Sequence, residues 1–336
     1  MATDATTDPS GFPPTVSFEA LLWQPGLIWG CSGEECLSLT HDFAGLDGDG
    51  FRWLHLNLAD GRTHAWLERE NRFPPEVHEL LLSRENHPRA VIDGKVVGLV
   101  LQDFERDFDH DDLNQVGSLH VAIAPGLIVT GRYRPVRSAD VLRQRVARVA
   151  ATPDPAEALD LVLGSMTGTF ADLARQLTVE VQAAEDEFLN DNPADAGREL
   201  LVIRRRSARL HRMVAGMRAV LHRLEDDRDL PEAMEPVIER FAQRADAIDA
   251  DILAVQGQMR VLRDEFDLQA AQKTNDNLYF LSVMSALLLP ATLVTGFFGM
   301  NTGGLPLTGG ANGTIEAMVI ALIASGATWA LLRARR

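Results

Sequence analysis

The stretch NLYFLSVMSALLLPATLVTGFFGMN, residues 277–301, decides how this chain folds, because Tyr279 is its only ionisable residue. A helix needs about 20 apolar residues to cross a bilayer, and this run is longer. A helix inside a water-soluble protein seldom stays apolar on every face for so long. A membrane span is therefore expected here, with a buried core hairpin as the bland alternative. Downstream, IEAMVIALIASGATWALL (315–332) carries Glu316 at its start and is followed by RARR. It is shorter but still long enough, since the minimum is about 17 residues. Arginines flanking a membrane helix stay on the cytoplasmic side, and Lys273 lies at the matching edge of the first span. Two spans return the chain to its starting side and leave 300–314 as a short loop on the far side.

Upstream, the chain reads as water-facing. From Phe241 through Ala245, Ile248, Ile252, Val255, Met259 and Leu262 to Phe266, apolar residues alternate at spacings of four and three. That is a heptad seam, which buries one stripe against other helices. No proline interrupts between Pro236 and Pro290, so one helix can run for about 80 Å at 1.5 Å per residue. Two further long helices precede it, divided at Asn192-Pro193. Before about residue 150 the pattern is mixed. AVIDGKVVGLVLQ turns at Asp93-Gly94 and LHVAIAPGLIVTGRY at Pro125-Gly126, each predicting a strand pair. PPEVHELLL and SADVLRQRVARVA predict helices entered through Pro or Ser. The expected fold class is an α/β cytoplasmic domain, a long α-helical stalk and two C-terminal transmembrane helices. The expected boundaries are a loose tail at 1–25, the α/β domain at 26–152, the stalk at 153–273 and the membrane domain at 274–336. The spans are placed at about 278–299 and 315–332.

Composition narrows the partners. With 48 acidic and 32 basic residues the formal charge is −16, which argues against nucleic acid and favours cations. The first twenty residues lack the apolar core of a signal peptide. Cys31 and Cys36 form a lone C-x4-C, which builds neither a zinc ribbon nor a disulfide framework, and read as reduced thiols. DGDG at 47–50 reads as a turn, since Phe51 and Arg52 occupy positions where a calcium loop needs a ligand and a glycine.

Two helices enclose no aqueous path, so a transporter built this way needs several copies in a ring. Pro290 lacks an N–H and can bend the first span, while Gly296 and Gly299 permit close helix approach. At the helix end, Gly299-Met300-Asn301 offers free carbonyls at the negative end of the helix dipole. A ring of such ends plus Asn301 carboxamides suits a cation that keeps much of its water.

Gly299-Met300-Asn301 at the end of the penultimate helix, a short outer loop, a final helix and a basic tail resemble the CorA-type divalent-cation transporters. The order of the α/β region, long helices and two spans is similar across nearly the whole chain. The resemblance implies a funnel-shaped homopentamer in a bacterial-type inner membrane, with both termini cytoplasmic and the first span lining the pore. FRWLHLNLAD and NTGGLPL are similar to the ZntB zinc-transporter branch, and no acidic residue follows the motif before Thr314. Met300 agrees better with the magnesium channels. The implied cargo is Zn²⁺, with Mg²⁺, Co²⁺ and Ni²⁺ as alternatives, and no cofactor is implied. Counting back from the motif, the resemblance carries pore-lining roles onto Thr292, Leu289, Ser285, Leu281, Leu278 and Asn275. Their spacing puts them on one helix face. It also carries a funnel carboxylate onto Asp264.

The remaining signals stay open. Asp246, Asp249, Asp264 and Asp267 suit either a cation-concentrating funnel or solvent-facing charges. DFERDFDHDD (103–112) suits either a regulatory metal or a solvated loop. No His or Cys follows His222, so the path lacks the ligands of a tight zinc site and favours passage of a hydrated ion. A membrane-tethered sensor or scaffold is the rival of a different class. An enzyme is not expected, because His55 and His64 lack partners at a catalytic spacing and read as structural.

Overall fold

The computed structural model of the chain describes residues 26–32, 38–40, 51–106, 115–149, 153–189, 193–300 and 313–334. The chain divides into two units, Met1–Met259 and Arg260–Arg336. In the first, β1 (Leu27–Ser32), β2 (Ser38–Thr40), β3 (Arg52–Asn57), β4 (Arg89–Asp93), β5 (Val96–Phe104), β6 (Val116–Ala124) and β7 (Leu127–Arg132) form one sheet. Its order is β2-β1-β3-β7-β6-β5-β4. Every neighbouring pair is antiparallel except β3 with β7, where Trp53 to Asn57 run alongside Ile128 to Arg132.

Both expected strand pairs are present, each closed by a two-residue turn. Asp93 pairs with Val96 and Ala124 with Leu127, and Gly94 and Gly126 take positive φ values of 58° and 76°. A side chain at either φ would be strained, which is why glycine stands there. Strands β1 to β3 and helix α1 (Gly61–Leu67) were not foreseen. In RWLHLN the polar His55 sits among apolar residues and blurs the two-residue alternation, yet it is buried.

The sheet is covered on both faces. On one face Trp53, Val97, Leu99, Leu101, Val121 and Ile123 join a core with the long helices. On the other, Leu54, Leu56, Ala122 and Val129 pack with Leu67 of α1 and with Val77 and Leu81 of α2 (Pro75–Leu82). Burial on two faces explains why VVGLVL and HVAIA are almost continuously apolar. At Gly98 the approach is close: a Cβ there would lie 3.4 Å from a Val77 methyl.

The acidic run at 103–112 begins inside this fold. Asp103 is buried and accepts hydrogen bonds from the Phe104 N–H at 2.8 Å and the Ser138 N–H at 2.7 Å. It thereby holds the first turn of α3 (Arg137–Val146). Burial pushes its carboxyl up against the pull of those hydrogen bonds. Glu105 pairs with Arg134 at 3.3 Å; residues 107–114, with the rest of the run, lie outside the described residues, as do Cys36 and 47–50. Cys31 is a buried free thiol, raised by burial to about 12.

Helices α4 (Pro155–Leu189) and α5 (Pro193–Glu225) follow. Next comes α6, a single helix of 65 residues, Glu235–Gly299, with Pro290 inside it. Of the expected seam, Phe241, Ala245, Ile248, Ile252, Val255, Met259 and Leu262 are buried, and Phe266 is half-buried. The first six belong to the core shared with Phe170 and Leu177 of α4 and Leu210 and Met217 of α5. The second unit contains the remainder of α6 and helix α7 (Gly313–Ala334).

Candidate functional site

In the second unit α6 carries two distinct faces. Asn275, Leu278, Leu281, Ser285, Leu289 and Thr292 are all exposed. Val283, Ala286, Leu287, Pro290, Ala291, Val294 and Phe298 are half-buried. At 3.6 residues per turn the centres of the two sets fall on roughly opposite sides of the helix. Among the described side chains of α7 the covered positions are Ala317, Ala321, Ala324, Ser325 and Thr328, small residues at helical spacing that allow another helix to lie near. The two helices meet directly where the Ser325 hydroxyl donates to the Leu287 carbonyl at 3.0 Å.

No residue between 278 and 300 is buried, and α6 is long and apolar enough to cross a membrane. The apolar stretch of α7, Ile315–Leu331, is shorter. Hydroxyls on the exposed part of α6 are satisfied within the helix: Ser282, Ser285 and Thr292 donate to the Leu278, Leu281 and Leu288 carbonyls at 2.8, 2.9 and 2.8 Å. A polar atom that closes its own hydrogen bond this way can face a solvent that offers none. Near the end of α7, Arg333 stacks on Trp329, 5.2 Å from the ring centroid. An aromatic and an arginine together suit a membrane–water boundary.

Helix α6 ends at Gly299, and Met300 is exposed beside it. Asn301 and the loop to residue 312 lie outside the described residues. Beside this end, Leu289, Thr292, Leu293, Gly296, Phe297 and Met300 line a shallow surface cavity of about 450 Å³. A Cβ added at Gly296 or Gly299 would meet nothing within 4 Å. Glycine in a helix interior costs up to about 1 kcal/mol relative to alanine, and among the described residues no contact accounts for that cost at Gly296.

The acidic residues of α6 divide. Asp249 is buried and bonded to His211 at 2.8 Å and Arg218 at 2.5 Å, both on α5. Asp246 meets Arg218 at 3.4 Å and His222 at 3.2 Å. These two carboxylates hold α6 to α5, a role that sequence spacing did not reveal because the basic partners lie on another helix. The half-exposed His222 is also bonded to Glu225 at 3.0 Å, and the two carboxylates, Glu225 first, raise its pKa above the ordinary 6.5. Asp264 is exposed, and Asp267 is exposed with Arg263 at 3.9 Å. Among the described residues no group of three or more His, Cys, Asp or Glu is placed to hold a metal ion.

His55, His64 and His120 are built into the fold. His55 is stacked on Trp29 and its Nδ1 lies 2.9 Å from the Thr130 hydroxyl. Burial, reinforced by Arg132, lowers its pKa to about 3. A neutral ring lets Nε2 accept from Arg132 at 3.2 Å. His120 lies 3.0 Å from the Leu80 carbonyl and is lowered by burial to about 4. His64 meets the Leu58 carbonyl at 2.8 Å.

Residues 48–336 match the family model described as CorA-like Mg2+ transporter protein. The chain is 25% identical over 316 residues to the zinc transport protein ZntB of Cronobacter sakazakii, covering 92% of this chain and 95% of that protein. The structure of the full-length CmaX protein superimposes with a TM-score of 0.73 at 20% identity, covering 92% of this chain and 98% of CmaX. The CorA magnesium transporter of Methanocaldococcus jannaschii gives 0.76 at 14% identity, covering 91% and 98%. These two likenesses establish the fold.

Proposed function

Because the chain belongs to the CorA-like Mg2+ transporter protein family, we propose that it carries zinc across a bacterial-type inner membrane through a homopentameric pore. The family accounts for divalent-cation transport; the likeness to a zinc transport protein over most of both chains supports the choice of zinc. A CorA-like channel for Mg²⁺ or Co²⁺ is the alternative cargo reading.

One observation carries the assignment of the path. The positions expected to line it, from Asn275 to Thr292, all lie on the exposed side of α6, which they share with Met284, Leu288 and Leu293, and the half-buried side from Val283 to Phe298 is the one that meets α7. An ion path built from one α6 per copy needs that free face turned to a common axis. Leu278, Leu281 and Leu289 then form apolar rings that gate by excluding water, and Ser285 and Thr292 add hydroxyls between them. Gly296 and Gly299, open among the described residues, give room for the neighbouring copy. Gly299, Met300 and Asn301 form the outer mouth, where backbone and carboxamide oxygens meet a hydrated cation without trapping it. Asp264 concentrates cations at the inner side. The functional division is the tail at 1–25, the cytoplasmic α/β domain at 26–152, the stalk at 153–273 and the membrane domain at 274–336.

The test is Zn²⁺ and Mg²⁺ uptake into proteoliposomes, with and without a pH gradient. Asn301→Leu keeps similar bulk but removes the carboxamide, and uptake should collapse while the pentamer persists. Thr308→Val should change little. Wild-type uptake by a normally assembled Asn301→Leu protein would remove Asn301 as the selectivity element. No uptake of either ion by the wild-type protein would favour the anchored sensor or scaffold.

A further inference from the structure

We propose that Ser325 of α7 is a positioning residue of the ion path, its hydroxyl holding the turn of α6 that precedes Pro290. Proline has no N–H, so the Ala286 carbonyl loses its donor four residues on. The ring also crowds that turn and tilts its carbonyls away from the helix axis. In an apolar medium such groups must find partners from side chains or neighbouring helices. The Ser325 hydroxyl reaches this turn at the next carbonyl, that of Leu287, at 3.0 Å.

The choice of partner is what singles Ser325 out. Ser282, Ser285, Thr292 and Thr295 on α6, and Thr328 on α7, donate to carbonyls of their own helix four residues back. Ser325 instead reaches across to Leu287. It is flanked by covered Ala321, Ala324 and Thr328, so the bond lies inside the contact between the two helices. Leu289 and Thr292 come immediately after the held carbonyl, on the exposed face. A rotation or bend at Pro290 changes where those two side chains stand, and Ser325 fixes that angle through α7. This inference rests on the pore reading above.

The experiment compares Ser325→Thr with Ser325→Val in proteoliposome zinc uptake, with assembly checked by mass. Thr and Val have nearly the same shape, and only Thr keeps the hydroxyl. Interhelical hydrogen bonds in membranes support an expectation that Val lowers the maximal rate roughly fivefold. The half-saturating concentration should stay unchanged, because the outer mouth is untouched. Thr should retain most of the rate. Should the Val protein fail to assemble, Ser325→Ala, which adds no volume, takes its place with the same two outcomes. Equal maximal rates for the hydroxyl-bearing and hydroxyl-free variants would overturn the proposal. If that happens while Asn301→Leu abolishes uptake, the pore reading stands and only the positioning role falls. If Asn301→Leu also transports normally, the positioning role of Ser325 and the selectivity role of Asn301 both fall; the pore reading itself falls only if the wild-type protein takes up neither ion.

Discussion

Between Glu235 and Met259, α6 buries a stripe of apolar residues and points its charges outward or into pairs with α5. Between Leu278 and Met300 the same helix buries nothing and carries no charge. Among the described residues, large apolar side chains stand exposed at four positions before residue 260 and at twenty after it. The backbone is continuous through Gly299, so hydrogen bonding does not distinguish the two parts. Their solvent does. In water a helix gains stability from one apolar stripe; in lipid the whole circumference is apolar, and polar contacts decide which face meets a partner. The two histidine classes show the same dependence on surroundings. His55 and His120, enclosed by the sheet and its helices, are kept neutral, whereas the half-exposed His222 is held toward its charged form by carboxylates.

The comparison breaks most readily at Ile252, which is fully buried. Ile252→Asp removes a core side chain and places a carboxyl among apolar neighbours, costing about 4 kcal/mol. Thermal unfolding should fall sharply; an unchanged midpoint would undo the seam. Next comes a matched pair of exposed leucines. Leu293 is 70% exposed and Leu253 is 47% exposed. If both faced water, Leu→Asp would be mild at each. Leu293→Asp should instead cost about 3 kcal/mol in lipid and reduce recovery in membranes. Leu253→Asp should stay within about 0.5 kcal/mol. Equal behaviour would erase the distinction between the two parts.

Smaller effects come from pH. His55 and His120 are held at about 3 and 4 against an ordinary 6.5. Below 6.5 the unfolded chain takes up protons that the folded chain refuses, so stability falls as pH drops toward those values. His55→Gln and His120→Gln should each flatten the acid limb of a midpoint-versus-pH plot. A limb of unchanged steepness in both would show that neither ring is held neutral. The smallest effect has the opposite sign. The raised pKa of His222 means its contribution is complete below 6.5 and disappears as pH rises through the folded value. Its exposure keeps that contribution small. His222→Gln should remove a slight alkaline loss of stability, and an identical alkaline slope would count against the Asp246–Glu225 bridge.

The sequence by itself determined the parts whose pattern is local. The seam from Phe241 to Leu262, the turns at Gly94 and Gly126, and the apolar run after Asn277 each state their surroundings within a few helical turns or strand residues. The candidate pore positions came from the family resemblance, and the sequence added that their spacings of three and four put Asn275 to Thr292 on one side of the helix. Tertiary structure decided what depends on a second element. Strand β3 was hidden because His55 breaks its apolar pattern, and the ring is tolerable there only through Thr130 and Arg132 on β7. Asp249 looked like a free charge on α6 until His211 and Arg218 of α5 enclosed it. Ser325 gave no signal in the sequence, since a serine in an apolar helix ordinarily bonds its own backbone. Only the approach of α7 to the turn before Pro290 gives its hydroxyl a different partner. Periodicity records which side of an element is apolar; it carries no record of which distant residue will stand opposite.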